Sequence, residues 1–211
     1  MPHEKAPRER TIGILIFDGA EELDFVGPYE VFTMSNEVFA HGGGKRRDRV
    51  LLLSQGGRAV TCAKGMRVEA HGAIEEAPQL DLLLIPGGQG TRREVENAAL
   101  LAWIARIAQG CEWVTSVCTG ALLLTAAGPA RGKRVTTHWA FIAPLRERGE
   151  ASEVLDRVRY VRDGNVVTSA GVSAGIDMAL WLIGQMHGEA HARATQSGMQ
   201  YDPAPPYAAA V

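Results

Sequence analysis

The sequence predicts a doubly wound α/β fold, in which a mostly parallel sheet is flanked by helices. Three observations favour it. Short apolar runs rich in β-branched residues, typical of strands buried on both faces, alternate with longer segments of helical periodicity. The chain has 211 residues, 46% of them hydrophobic, which is enough for one large core. No repeat or linker divides it, so we expect a single domain over residues 11–207 after a flexible tail at residues 1–10.

The elements are predicted in the following order. Apolar runs predict parallel strands at residues 11–17, 50–54, 81–86 and 113–117. Helical periodicity covers residues 23–36, 92–109, 121–127 and 138–148. Two pairs of short runs around turn residues predict hairpins, at 58–62 with 67–70 and at 159–162 with 166–169. An apolar helix at 176–186 and a final helix at 189–199 complete the fold.

Composition restricts the compartment and the partners. A net charge of −2 and a pI near 6.3 provide no basic field for phosphates, so nucleic acid is not an expected partner. The polar N-terminus lacks the features of a signal peptide, and no apolar run is long enough to cross a membrane. Three cysteines without a Cys-x-x-Cys pair fit a reducing compartment. We therefore expect a cytoplasmic protein that acts on a small molecule and has no membrane partner.

Cys118 lies where the fourth predicted strand meets the next helix. Ser116 and Gly120, two positions to either side, are small enough for the tight turn that exposes a nucleophile in Gly-x-Ser-x-Gly elbows. The N-terminus of the following helix is expected to lower the pKa of the thiol. This context predicts a nucleophile at Cys118, whereas Cys62 and Cys111 are expected to be structural.

A glycine-rich loop follows the third predicted strand, at the carboxyl edge where parallel sheets bind ligands. Because glycine lets backbone N–H groups approach a ligand closely, Gly87 and Gly88 are candidate donors to developing negative charge. The amide of Thr119, directly after the cysteine, is a further candidate. The loop does not match Gly-x-Gly-x-x-Gly, so no dinucleotide is predicted.

Carboxyl groups follow the first predicted strand. Asp18, Glu21 and Glu22 are expected to cap the first helix. Asp24 has apolar neighbours on both sides, where a carboxyl group close to a second polar group could serve as an acid or a base.

Histidines provide one candidate for the pocket and none for a metal site. His138 follows a short strand and is a candidate pocket residue. His187 and His191 are spaced i, i+4, but the residues between them give no zinc-protease signature. No metal is therefore predicted.

Together these motifs resemble the ThiJ/PfpI superfamily, relatives of class I glutamine amidotransferases. The motifs occur in the expected order at residues 19–24, 86–88, 116–120 and 136–138. Within the superfamily the sequence is most similar to the isocyanide (isonitrile) hydratase branch, because of residues 23–28, 116–120, 136–139, 171–177 and 201–207.

The resemblance implies a flavodoxin-like fold, a homodimer with the first helix near its interface, and no cofactor. It assigns Cys118 as the nucleophile and Asp24 as the acidic residue beside the sulfur. Thr119 replaces the histidine that follows the cysteine in the protease-like branch, which argues against a Cys-His protease. Gly171 and Val172 are expected to line the pocket.

The resemblance favours one activity and leaves others open. The favoured activity is hydration of isocyanides to N-substituted formamides through a covalent thioimidate on the cysteine. A glyoxalase or deglycase acting on α-oxoaldehydes is an alternative. The same motifs also resemble the sensor domain of AraC-like regulators, so a stand-alone ligand-sensing domain is another. The chain is expected to lack the helix-turn-helix domain of those regulators.

Overall fold

The computed structural model describes residues 8–44 and 47–203. Its strands are β1 (Thr11–Leu15), β2 (Arg49–Ser54), β3 (Val60–Thr61), β4 (Arg67–Val68), β5 (Gly72–Ala73), β6 (Leu82–Ile85), β7 (Trp113–Val117), β8 (Arg134–Thr136), β9 (Glu153–Leu155), β10 (Tyr160–Asp163) and β11 (Val166–Ser169). Its helices are α1 (Glu22–His41), α2 (Thr91–Glu94), α3 (Ala98–Ala108), α4 (Gly120–Ala127), α5 (Ile142–Glu147), α6 (Ala174–His187) and α7 (Glu189–Gly198). Residues 1–7 and 204–207, which belong to the predicted tail and domain, lie outside the described part.

The main sheet has seven strands in the order β10-β11-β7-β6-β1-β2-β5. Every neighbouring pair is parallel except β10 and β11, which form the antiparallel hairpin predicted near residues 159–169. The other predicted hairpin is the antiparallel pair β3 and β4, which forms a small sheet of its own. β8 and β9 form another small sheet, in which the two strands are parallel. The prediction of a mostly parallel α/β sheet is confirmed.

Helices cover both faces of the main sheet. Side chains alternate between the two faces of a strand, and every residue of β6 and β7 is buried, so neither face is open to water at the centre. The helices α1, α6 and α7 pack against one another, and α3 packs against α4. This arrangement is the doubly wound architecture. None of the helices described is long and apolar enough to cross a membrane.

Two predicted helices differ from those observed. The predicted helix at 92–109 is divided into α2 and α3, because Asn97 begins a new helix: its side chain accepts a hydrogen bond of 3.2 Å from the N–H of Leu100. The predicted helix at 138–148 begins as a 3-10 turn at Trp139–Phe141 and becomes α-helical only in α5.

Asp18, Glu21 and Glu22 do not cap α1, and that prediction is wrong. The N-terminus of α1 has no side-chain cap, and these carboxylates bind the β3–β4 hairpin instead. Asp18 accepts a hydrogen bond of 2.8 Å from the N–H of Thr61. Glu22 accepts one of 2.7 Å from the N–H of Lys64, and Glu21 forms an ion pair with the Lys64 side chain. The hairpin is thereby held against the beginning of α1.

Candidate active site

Four adjacent strands bring the predicted site residues to one edge of the sheet. The carboxyl ends of β11, β7, β6 and β1 are neighbours, because these strands are parallel and consecutive in the sheet. The chain direction across the sheet reverses at β1, which makes this edge the switch point where doubly wound folds bind ligands. Val172 follows β11, Cys118 follows β7, Gly88 follows β6, and Asp24 lies in the first turn of α1 after β1.

Cys118 makes the sharp strand-to-helix turn that the sequence predicts. Its φ is 55°, a left-handed conformation that is unusual for any residue other than glycine. Its N–H donates hydrogen bonds to the carbonyls of Ser169 (3.2 Å) and Ala170 (3.1 Å). Its own carbonyl accepts a hydrogen bond of 2.7 Å from the hydroxyl of Thr137. Gly120 is required just beyond, because a side chain there would collide with the carbonyls that end β6. The thiol is left at the base of a cavity, only 7% exposed.

Asp24 is a fully buried carboxyl group on the same edge. The N–H of Gly87 donates a hydrogen bond of 2.8 Å to its Oδ2, whereas Oδ1 is buried without a nitrogen or oxygen partner among the described residues. Burial, aided by the nearby charge of Glu21, raises the pKa of Asp24 to about 7. The Gly87 N–H, the Cys118 thiol and Lys64 oppose that rise. A carboxyl group in this environment can hold a proton near neutral pH.

The thiol does not have the lowered pKa that the sequence predicts. Burial, and then the charge of Asp24, raise the pKa of Cys118 to about 12. The N–H groups of Thr119 and Val172 and the Thr119 hydroxyl favour the thiolate, but they are outweighed. The prediction considered the helix N-terminus and omitted the desolvation of a sulfur that is almost wholly buried.

The two loop glycines support neighbouring side chains. The N–H of Gly87 is bound to Asp24, and the N–H of Gly88 donates a hydrogen bond of 3.0 Å to Oγ1 of Thr119. Thr91 adds a hydroxyl 2.8 Å from the Gly88 carbonyl and 3.2 Å from Oγ1 of Thr119. The predicted role of the Gly87 and Gly88 amides as donors to substrate is therefore replaced by a supporting one.

Val172 brings its backbone N–H to the thiol of Cys118. Its φ is 49°, a strained conformation for a β-branched residue, and its N–H favours the thiolate of Cys118. Gly171 packs so closely on the ring of His138 that a side chain at this position would collide with it. His138 is half-buried, and its Nδ1 accepts a hydrogen bond of 3.3 Å from the N–H of Ala140. His138 lies in the wall of the cavity above the sulfur.

The cavity above the sulfur has a volume of about 170 Å³. It is lined by Glu21, Gly88, Gln89, Arg92, Cys118, Thr119, His138, Ala140, Phe141 and Val172. Arg92 and Phe141 were not predicted from the sequence. Arg92 lies two residues beyond the glycine-rich loop on the same sheet edge, and this position could have indicated that it lines the cavity. Among the described residues, no group of three histidine, cysteine or carboxylate side chains could hold a metal ion.

A cysteine at positive φ beside a buried carboxyl group, on the carboxyl edge of a parallel sheet, defines an α/β protein of the nucleophile-elbow class. Residues 10–185 match the DJ-1/PfpI family, and the chain belongs to that family. It is 39% identical to isonitrile hydratase of Pseudomonas putida over 196 residues, which are 93% of this chain and 80% of that protein.

Two solved structures and a further relative are also similar to this chain. A crystal structure of a ThiJ/PfpI family protein from Pseudomonas syringae superimposes with a TM-score of 0.84 at 28% identity, covering 100% of this chain and 86% of that one. Drosophila melanogaster DJ-1beta, with a TM-score of 0.79, 19% identity and coverage of 93% and 100%, shares the fold. The transcriptional regulator CdhR of Pseudomonas aeruginosa is 32% identical over 82% of this chain, which spans only 50% of its length.

Proposed function

We propose that the protein is a cysteine-dependent hydratase that converts isocyanides to N-substituted formamides. The similarity to isonitrile hydratase supports this activity. The observation that carries the proposal is the buried carboxyl group of Asp24, with a pKa of about 7, beside the thiol of Cys118. Hydration of an isocyanide needs a nucleophile for its terminal carbon and a proton donor at the same place, and this pair can supply both.

In the first step, Cys118 and Asp24 hold one proton between them. The sulfur forms a bond to the terminal carbon of the isocyanide while Asp24 gives its proton to that carbon. An S-linked thioimidate with a carbon–nitrogen double bond results, and Asp24 becomes a carboxylate. The N–H groups of Thr119 and Val172, which favour the thiolate, stabilise the sulfur before it attacks. The step requires neither a metal nor an organic cofactor.

In the second step, the Asp24 carboxylate acts as a base. It takes a proton from water, whose oxygen adds to the thioimidate carbon, and passes that proton to the nitrogen. The hydroxyl group of the adduct then returns a proton to Asp24 as the carbon–sulfur bond breaks. The formamide leaves, and the pair regains its original single proton, so the cycle adds one water and consumes nothing else.

The test compares two substrate classes on the purified protein. An aromatic isocyanide should yield its formamide, detected by mass spectrometry, whereas methylglyoxal should yield no hydroxyacid above the uncatalysed rate. Hydroxyacid from methylglyoxal with no formamide would replace the hydratase by a glyoxalase-type enzyme. Binding without turnover of either compound would favour a ligand-sensing role, the second candidate, which the similarity to CdhR supports.

The same proposal includes a cytoplasmic homodimer that uses the beginning of α1. Leu23 and Val26 are apolar side chains of this helix, 37% and 38% exposed, on either side of Asp24 in the sequence. Burial of such a surface against a second copy would favour association and shield the site from water. Sedimentation that gives only monomer at micromolar concentration would contradict the dimer and leave the chemistry unaffected.

A further inference from the structure

The cavity above Cys118 carries a positive charge that the proposed hydration does not use. Arg92 lines this cavity beside Phe141. Its Nη1 donates a hydrogen bond of 2.9 Å to the carbonyl of Gly88 and lies 3.2 Å from Oγ1 of Thr91. Its Cζ lies 4.8 Å from the centre of the Phe141 ring, within the range of a cation–π interaction. These contacts hold the guanidinium group in the cavity wall.

No described carboxylate lies within ion-pair distance of Arg92. Glu21, which lines the same cavity, is paired with Lys64. Arg92 is an exposed residue, and its positive charge has no carboxylate partner in the cavity wall. At the base of the cavity, the Cys118–Asp24 pair carries the opposite charge once it has lost one proton. The cavity thus has a negative base and a positive wall.

The size and the charge of the cavity together limit the substrate. A volume of about 170 Å³ is below the roughly 300–1,000 Å³ of pockets that bind drug-sized ligands, so a small molecule fits best. The negative base repels an anion, whereas the guanidinium group retains N–H donors in the planar geometry that matches a carboxylate. A substrate with its reacting carbon at one end and a carboxylate at the other satisfies both requirements.

We propose that Arg92 is a specificity-determining residue, and that the preferred substrates are small isocyanides whose N-substituent ends in a carboxylate. Isocyanoacetate is the simplest member of this class. Its terminal carbon would lie at the sulfur of Cys118 and its carboxylate at the free donors of Arg92. This inference rests on the proposed hydratase function and adds the chemical class of its substrate.

The test measures kcat/KM for isocyanoacetate and for its uncharged methyl ester. The wild-type protein should prefer the acid. Arg92→Gln should lower kcat/KM for the acid roughly ten- to hundredfold relative to the ester, mainly through KM, because a hydrogen-bonded charge contact is lost. Arg92→Lys should retain part of the preference, since it keeps the charge without the planar fork.

Arg93→Gln is the matched control, because it removes the same charge one residue away. Arg93 is paired with Glu94 at 2.7 Å and donates 2.9 Å to the carbonyl of Asp18, and it does not line the cavity. The acid-to-ester ratio should be unchanged in this variant. An unchanged ratio in Arg92→Gln, or a wild-type preference for the ester, would overturn the inference while hydration itself stands. Absence of formamide from both substrates would instead overturn the hydratase function, and the substrate class with it.

Discussion

The carboxyl group of Asp24 lies beside the thiol of Cys118, where its charge raises the pKa of the thiol and the thiol in turn favours the ionised carboxyl. One proton is therefore retained by the pair over a wide pH range, since the first is lost near pH 7 and the second only near pH 12. The productive state in the proposed cycle is the one with a single proton.

The first prediction is that activity rises with pH through about 7. Below the pKa of Asp24 the pair holds two protons, and the carboxyl group cannot accept the thiol proton. Above it the pair holds one proton and the rate reaches a plateau. The measurement is kcat/KM for an uncharged isocyanide from about pH 5 to about pH 9. A rate that falls between pH 6 and pH 8 would contradict the single-proton state.

The second prediction concerns the nucleophile. Cys118→Ser should abolish formamide formation, because a hydroxyl group beside a carboxyl of pKa about 7 stays protonated. Cys62→Ala and Cys111→Ala are the controls, since both cysteines are buried away from the cavity and should leave kcat unchanged. Acid quenching during turnover should trap the thioimidate as an added mass on the peptide that contains Cys118. An added mass on either control cysteine would assign the nucleophile to that cysteine instead.

The alternation of strands and helices, and the elbow itself, could be predicted from the sequence. Buried strands such as Trp113–Val117 give continuous apolar runs, and Gly120 indicates the tight turn, so the carboxyl edge of the sheet could be located. The strand β9 could not be predicted, because three residues give too short a pattern. The break before α3 was signalled by Asn97 as an N-cap, but the apolar periodicity on either side concealed it.

The details of the site depend on tertiary contacts that the sequence does not display. Propensity argues against a left-handed valine, so the orientation of the Val172 N–H was not predictable. Asp18 and Glu22 look like helix caps, yet the β3–β4 hairpin offers them N–H groups. The pKa of Cys118 depends on how deeply the sulfur is buried, which a linear pattern cannot give. In each case a long-range contact outweighs a local preference.

The third prediction is that Asp24→Asn trades activity for stability. The substitution removes the proton shuttle, so kcat/KM should fall roughly a hundred- to ten-thousandfold. The folded-state pKa of about 7 exceeds the reference value of 3.8. Burial of this carboxyl group therefore carries no stability penalty below about pH 4, where it is protonated in both states, and its full penalty above about pH 7. That penalty is at most about 4 kcal/mol.

The stability of this variant should accordingly depend on pH. At about pH 8 the Asn variant should unfold at a temperature several degrees above that of the wild type, and at about pH 4 the two should nearly coincide. Thermal unfolding followed by circular dichroism at both pH values provides the measurement. Equal stability at high pH would mean that Asp24 is not a buried, destabilised carboxyl group.

The fourth prediction separates structural ionisable groups from those of the site. The carboxylate of Asp48 accepts a hydrogen bond of 3.0 Å from the backbone N–H of Arg10. It also lies 2.6 Å from Nε2 of His187, whose side chain is fully buried. Asp48→Ala should lower the free energy of unfolding by roughly 3–5 kcal/mol, because it leaves buried partners unpaired. Denaturant unfolding measures the loss. The folded variant should keep its kcat/KM.

Glu189→Ala is the control for this loss. Glu189 pairs with Arg193 at 3.5 Å on the exposed surface of α7, and such i, i+4 pairs contribute only about 0.3–0.5 kcal/mol. A similar loss of stability in both variants would mean that the burial of the Asp48 pair has no energetic weight.

The fifth prediction decides between an Asp24 mechanism and one in which His138 is the base. The ring of His138 packs on Gly171, and its Nδ1 already accepts the N–H of Ala140. His138→Ala should therefore change the fit of substrate more than the chemistry, lowering kcat/KM less than about tenfold and acting mainly on KM. The rise of activity through pH 7 should persist, since Asp24 causes it. A His138→Ala variant that is inactive yet folded, alongside a nearly normal Asp24→Asn variant, would transfer the proton-transfer role to the histidine.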